Sequence, residues 1–212
     1  MHVISGVCII TAEGLVHGRT HLDVAKAAVE AGADIVQLRD KTATTRKLFE
    51  TARQIRELTR GTRTRFVVND RLDVALAADA DGVHIGDEDL PPDVARRIMG
   101  PNAIIGVSAA TLEEAVKAER AGATYLGVGP MFPTATKPDA GEAVGPRRIS
   151  EIKSAVSVPI LGIGGITCEN AHLVFEAGAD GVAVISAVAE AEDMVQTARK
   201  LCAIAARYGK HD

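Results

Sequence analysis

The nine residues Gly-Pro-Met-Phe-Pro-Thr-Ala-Thr-Lys at positions 129–137 follow the apolar run Tyr125-Leu126-Gly127-Val128. They put two hydroxyls and an ammonium into a segment too rich in Gly and Pro to be helix. Such a loop is equipped to grip an anion. Gln37-Leu38-Arg39-Asp40-Lys41 ends another apolar run; with a side-chain period of two, Gln37 and Arg39 share a side and Lys41 lies just beyond. Gly162-Ile163-Gly164-Gly165-Ile166 and the pair Ile185-Ser186 offer backbone N–H groups, and glycine lets that backbone come close to a phosphate. Ser108 reads either as a binding hydroxyl or as the N-cap of the helix that follows.

Carboxylates stand near these cations. Asp70 lies in Asn69-Asp70-Arg71, where the Asn-Asp pair could also cap a helix over 72–78, and a second group follows in Asp87-Glu88-Asp89. Asp70 and one of these acids could share Mg²⁺, which takes one or two carboxylates plus phosphate oxygens and water. Carboxylates beside an anion site make sense with a metal between them. The six histidines have no metal-ligand spacing. His84 alternates with Val83 and Ile85 inside a strand and reads as an interior hydrogen-bonding group, whereas His2, His17, His21, His172 and His211 read as peripheral. No Ser-His-Asp order and no activated cysteine is visible, so the chemistry reads as electrostatic.

To bring these segments together, the chain must place the ends of many strands on one face. Apolar runs fall at 7–11, 35–39, 66–69, 82–85, 104–108, 125–128, 160–163 and 182–185, and stretches of helical spacing lie between them, such as Leu22, Ala25, Val29 closing at Gly32. Runs rich in Val, Ile and Gly without polar alternation describe parallel strands buried on both faces. Eight of them alternating with helices predict a (β/α)8 TIM barrel in a single domain over 1–212, with an open doubly wound sheet as the alternative. An internal echo agrees: Ala-Gly-Ala-Asp at 31–34, Ala-Asp-Ala-Asp at 78–81, Ala-Gly-Ala-Thr at 121–124 and Ala-Gly-Ala-Asp at 177–180 each precede an even-numbered strand. The segment 131–145 is long for a strand-to-helix loop and is expected to be a lid or binding loop.

Composition narrows the partners. A net charge of −4 with 3% aromatic residues provides neither a basic stripe nor a stacking platform, so no nucleic acid is expected. No apolar run approaches a membrane span and no export segment is visible, which makes the cytoplasm the expected location. Three scattered cysteines form no framework. The partners expected are small anionic molecules, and the oligomeric state is left open.

Taken together, Gln37 to Lys41, Asn69 to Arg71, Asp81 to Gly86 with Asp89, Gly106-Val107-Ser108, Gly129 to Lys137 and Gly162 to Ile166 resemble the thiamine-phosphate synthase family, in the family's order from the second strand to the eighth. The Thr-x-Thr-Lys loop is the most specific part. The resemblance implies a transferase that joins hydroxymethylpyrimidine diphosphate to thiazole phosphate and releases pyrophosphate by way of a pyrimidine carbocation. It further implies that Arg39, Lys41, Asn69 and Lys137 hold the pyrophosphate, that Asp70 and Asp89 carry Mg²⁺, and that Gln37 and Ser108 orient the pyrimidine. Thr134 and Thr136, with backbone at Gly165, Ile185 and Ser186, would bind the thiazole phosphate. Two positions depart from the family pattern: Asp87 stands where Gln is usual, and Ala110 where relatives often place His. A thiazole tautomerase of the same fold would need that histidine. A non-catalytic phosphate-binding regulatory barrel would have no use for Asp70, Asp89 and Lys137 together.

Overall fold

The structure, a computed structural model, describes residues 4–14, 18–134, 136 and 141–208. The apolar runs form β1 (Gly6–Ile10), β2 (Ile35–Leu38), β3 (Arg65–Asn69), β4 (Gly82–Ile85), β5 (Ile104–Ser108), β6 (Tyr125–Val128), β7 (Ile160–Ile163) and β8 (Gly181–Val184). Each boundary lies within one residue of the sequence expectation. Between them run α1 (His21–Ala31), α2 (Thr45–Thr59), α3 (Leu72–Ala77), α4 (Pro92–Met99), α5 (Leu112–Arg120), α6 (Arg147–Lys153) and α7 (Ala171–Glu176), with α8 (Ser186–Ala189) and α9 (Met194–Tyr208) after β8. The strands pair in parallel in chain order, and β8 closes on β1 with Gly6 opposite Gly181. This is the expected (β/α)8 barrel.

Local chemistry starts the helices. Thr20 and Thr111 each accept from the backbone N–H three residues on, while Asp23 and Glu114 reach back to the cap N–H. Because Thr111 does this work, Ser108 is free of it and ends β5 with an exposed side chain. Asn69 and Asp70 do not cap α3 either; the cap position falls to Arg71, which makes no side-chain cap bond. After β7 the chain does not enter a helix at once: residues 168–170 form a turn, and α7 begins at Ala171. Asn170 explains the delay: its side-chain oxygen accepts from Thr167 N–H at 2.8 Å and its Nδ2 donates to Gly165 O at 2.9 Å.

Alternation along each strand separates two cores. Val7, Ile9, Val36, Leu38, Phe66 and Val68 pack outward against the helices, whereas Cys8, Ile10, Ile35, Val67, Ile104, Tyr125, Leu161 and Ala183 fill the barrel itself. The echo seen in the sequence closes the floor. Asp34 accepts from Val7 N–H at 3.0 Å, Asp81 from Phe66 N–H at 2.7 Å, Thr124 from Ile105 N–H at 3.0 Å and Asp180 from Ile160 N–H at 2.8 Å. A residue before each even strand thus ties down the preceding odd strand. Each also takes a cation: Arg63, Arg56, Arg96 and Lys153 in the same order.

Candidate active site

The carboxyl ends of β2, β3 and β4 bring cations and acids together. Lys41 forms an ion pair with Asp70, and Asp89 lies close enough to both to interact with them. Asp89 is held by its own turn, accepting from Gly86 N–H at 2.7 Å. Burial pushes the Asp89 carboxyl above its ordinary range and the neighbouring Asp70 carboxylate pushes the same way, against the Gly86 bond. The bond to Asp70 holds the Lys41 ammonium above its usual range. Two carboxylates and one ammonium leave a surplus of negative charge, the donor set that a divalent cation neutralises. Asp70 adopts φ 62°, a conformation that Asp and Asn tolerate better than other side chains, and its N–H donates to His84 O at 2.7 Å. Among the described residues no three His, Cys, Asp or Glu side chains converge as a full metal cage. Two carboxylates fit Mg²⁺, which keeps its other positions for phosphate and water.

Arg39 stands beside this group on the β1 side. Its Nη1 lies 3.6 Å from Glu13 Oε2, and that oxygen is buried without a hydrogen bond. Charge alone therefore restrains the guanidinium, and an arriving anion could take it over. Asn69 ends β3 opposite His84 of β4. Asp87, one of the two departures noted in the sequence, is exposed.

Beneath the mouth runs a polar chain inside the barrel. Gln37 is buried and its side chain reaches the Tyr125 hydroxyl. That hydroxyl lies 2.9 Å from His84 Nδ1, and His84 Nε2 lies 3.1 Å from Ser108 Oγ. The interior role expected of His84 is the observed one. Room for the two rings comes from Gly106, where an added Cβ would lie 2.3 Å from Tyr125 Cζ and 2.5 Å from His84 Nδ1. Neither the role of Tyr125 nor the link from His84 to Ser108 is visible in the sequence, because these partners lie 41 and 24 residues apart in the chain.

The loop after β6 is seated on β7. Met131 N–H donates to Ile163 O at 2.8 Å and Phe132 N–H to Gly164 O at 3.0 Å. Gly165, at φ 64°, lies so close that a Cβ there would meet Pro133 O at 2.6 Å. The result carries Thr136 to the start of α8, where its hydroxyl donates to Ser186 Oγ at 3.2 Å, and Thr136 N–H donates to Thr134 Oγ1 at 3.3 Å. Thr134, Thr136 and Ser186 thus converge, with Gly165 and Ile185 on the adjoining strand ends. Lys137 lies outside the described residues.

One assignment needs correction. His21 is not peripheral: its ring lies 2.7 Å from Thr11 Oγ1 and 3.2 Å from Asp40 Oδ2, both at the rim beside Arg39.

Comparison with known proteins agrees with this geometry. A family profile described as thiamine monophosphate synthase matches residues 7–188. The thiamine-phosphate synthase of Methanospirillum hungatei is 52% identical over 92% of this chain and 95% of its own length. That of Chloroflexus aurantiacus is 51% identical over 92% and 90%. Among solved structures, the thiamine phosphate pyrophosphorylase from Pyrococcus furiosus superposes with a TM-score of 0.87 at 42% identity, covering 96% of each chain. Motifs, closed barrel and relatives converge, and the chain belongs to the thiamine monophosphate synthase family.

Proposed function

We propose that this barrel mouth is a thiamine-phosphate synthase site, joining a hydroxymethylpyrimidine diphosphate to a thiazole phosphate to give thiamine phosphate and pyrophosphate. One observation carries the reading: two groups of different chemistry, each suited to an anion, stand on opposite sides of one barrel mouth. Cations and carboxylates gather at the ends of β2, β3 and β4, and hydroxyls and close backbone at the ends of β6, β7 and β8. Two anionic substrates need two such groups.

In this mechanism the bond between the pyrimidine methylene carbon and the pyrophosphate oxygen breaks, and its electron pair leaves on oxygen. The thiazole nitrogen lone pair then captures the carbocation, forming the new C–N bond. No proton moves, so no general base is needed. The demand falls on charge that develops on the leaving group, and preorganised cations meet it best. Arg39, Lys41 and Asn69 bind the pyrophosphate, joined by Lys137. Asp70 and Asp89 would hold Mg²⁺, which would supply Lewis-acid neutralisation of charge on the leaving group. Glu13 and Asp70 keep the two cations in place before substrate arrives. Ser108, oriented by His84, and Gln37 position the pyrimidine. Thr134, Thr136 and Ser186, with backbone at Gly165 and Ile185, bind the thiazole phosphate.

The same reading takes small molecules as the partners, without nucleic acid, and the cytoplasm as the location; no described helix is long and apolar enough to cross a membrane. It also takes residues 1–212 as one barrel domain. An assay with both substrates and Mg²⁺ tests it by following pyrophosphate and thiamine phosphate together. Equimolar release of the two is the expected result, and absence of both at every metal concentration would refute it.

A further inference from the structure

Asp40 stands in the chain between the two cations of the pyrophosphate group and pairs with other partners. Its Oδ1 accepts from the backbone of Thr42 at 2.9 Å and Ala43 at 2.8 Å and from the Thr42 hydroxyl at 3.1 Å, folding the turn that carries Lys41. Its Oδ2 lies 3.2 Å from His21 Nε2, on the first residue of α1. The other ring nitrogen lies 2.7 Å from the hydroxyl of Thr11, a fully buried residue at the end of β1. Thr11 Oγ1 in turn accepts from Arg39 N–H at 3.3 Å.

These bonds form a ring. Arg39 N–H donates to Thr11 Oγ1, the Thr11 hydroxyl and the Asp40 carboxylate each lie within hydrogen-bond distance of one ring nitrogen of His21, and the chain returns from Asp40 to Arg39 through one peptide bond. An Nε2–H would donate to Asp40, and the Thr11 hydroxyl can serve the Nδ1 side as donor or acceptor. Both residues that flank Asp40 are the cations assigned to pyrophosphate.

We infer that His21 is a positioning residue for this reaction: through Thr11 and Asp40 it fixes where Arg39 and Lys41 stand, and so sets affinity for the diphosphate substrate without touching it. The inference rests on the reading that Arg39 and Lys41 bind the pyrophosphate. A shift of about an ångström in a positioned group is enough to lower activity by up to about a hundredfold. Replacing the ring by a side chain that cannot bridge the two partners should therefore act on one substrate alone.

The test is steady-state kinetics with each substrate varied in turn, together with calorimetric binding of pyrophosphate and Mg²⁺. His21→Leu should raise KM for the pyrimidine diphosphate about tenfold and weaken pyrophosphate by a similar factor, leaving KM for the thiazole phosphate within about twofold. His21→Gln, which offers both a donor and an acceptor, should recover most of the loss. Should His21→Leu fail to fold, Thr11→Val opens the same ring at its other end and should give the same split. A rise in both KM values together, or a lowered melting temperature with unchanged KM values, would overturn the inference. Arg39→Gln separates the two claims. If it leaves KM for the diphosphate unchanged, the underlying site assignment fails; if it raises that KM while His21→Leu does not, only the role of His21 fails.

Discussion

Asp70 combines an unusual backbone with the central charge of the site. Its φ of 62° suits Asp and Asn about equally, so Asp70→Asn removes the charge and leaves the fold of the turn intact. Turnover should fall by about 10²- to 10³-fold, the usual loss when one preorganised electrostatic contact is removed, and the melting temperature should move by no more than about 3 °C. Steady-state rates and a thermal melt measured on the same preparation check both halves, and a large drop in melting temperature would move Asp70 from the site to the scaffold. Asp79 shares the positive φ at 54° but stands between α3 and β4, away from the mouth, so the backbone outlier alone does not mark function. What marks Asp70 is its company: Lys41 on one side and Asp89 on the other.

The elements divide labour between the two ends of the barrel. At the floor, Asp81 satisfies Phe66 N–H and pairs with Arg56. Asp81→Ala leaves both without that partner and should lower stability by about 1–3 kcal/mol, with kcat unchanged in the folded fraction. Denaturant titration beside an activity assay reads this, and a loss of kcat without loss of stability would contradict it. At the mouth, Gly165→Ala should do the reverse, raising KM for the thiazole phosphate, because a Cβ there collides with Pro133 O and Phe132 and unseats the loop that carries Thr134 and Thr136. Unchanged KM would mean that the loop binds nothing. Most of this was legible in sequence, since apolar runs report strands buried on both faces and the Ala-Gly-Ala-Asp echo reports the joints. Side-chain partners were not. Thr111 rather than Ser108 caps α5, and His21 bridges Thr11 and Asp40, because capping depends on one residue of register and bridging on contacts 10 and 19 residues away. Asn170 postpones α7 through bonds that helical spacing does not announce.

On the proposed function the whole protein must bind two anions while carrying a net charge of −4, so local cations work against the overall field. The barrel interior keeps its other reactive groups silent. Cys8 lies among Ile10, Ile35 and Tyr125, and burial, aided by the charge of Asp34, pushes its thiol far above the usual range. A thiol reagent at pH 8 should leave Cys8 unmodified in the native protein and modify it on unfolding; peptide mapping reads the site, and native labelling of Cys8 would show the barrel to be open. The proposed function divides the mouth into two facing halves, one for each substrate. A crystal structure with Mg²⁺, pyrophosphate and thiamine phosphate bound tests that division most directly. The prediction is pyrophosphate against Arg39, Lys41 and a metal on Asp70 and Asp89, with the thiamine phosphate group against Thr134, Thr136, Gly165 and Ser186. Both anions on the same half, or a metal held away from Asp70 and Asp89, would contradict it.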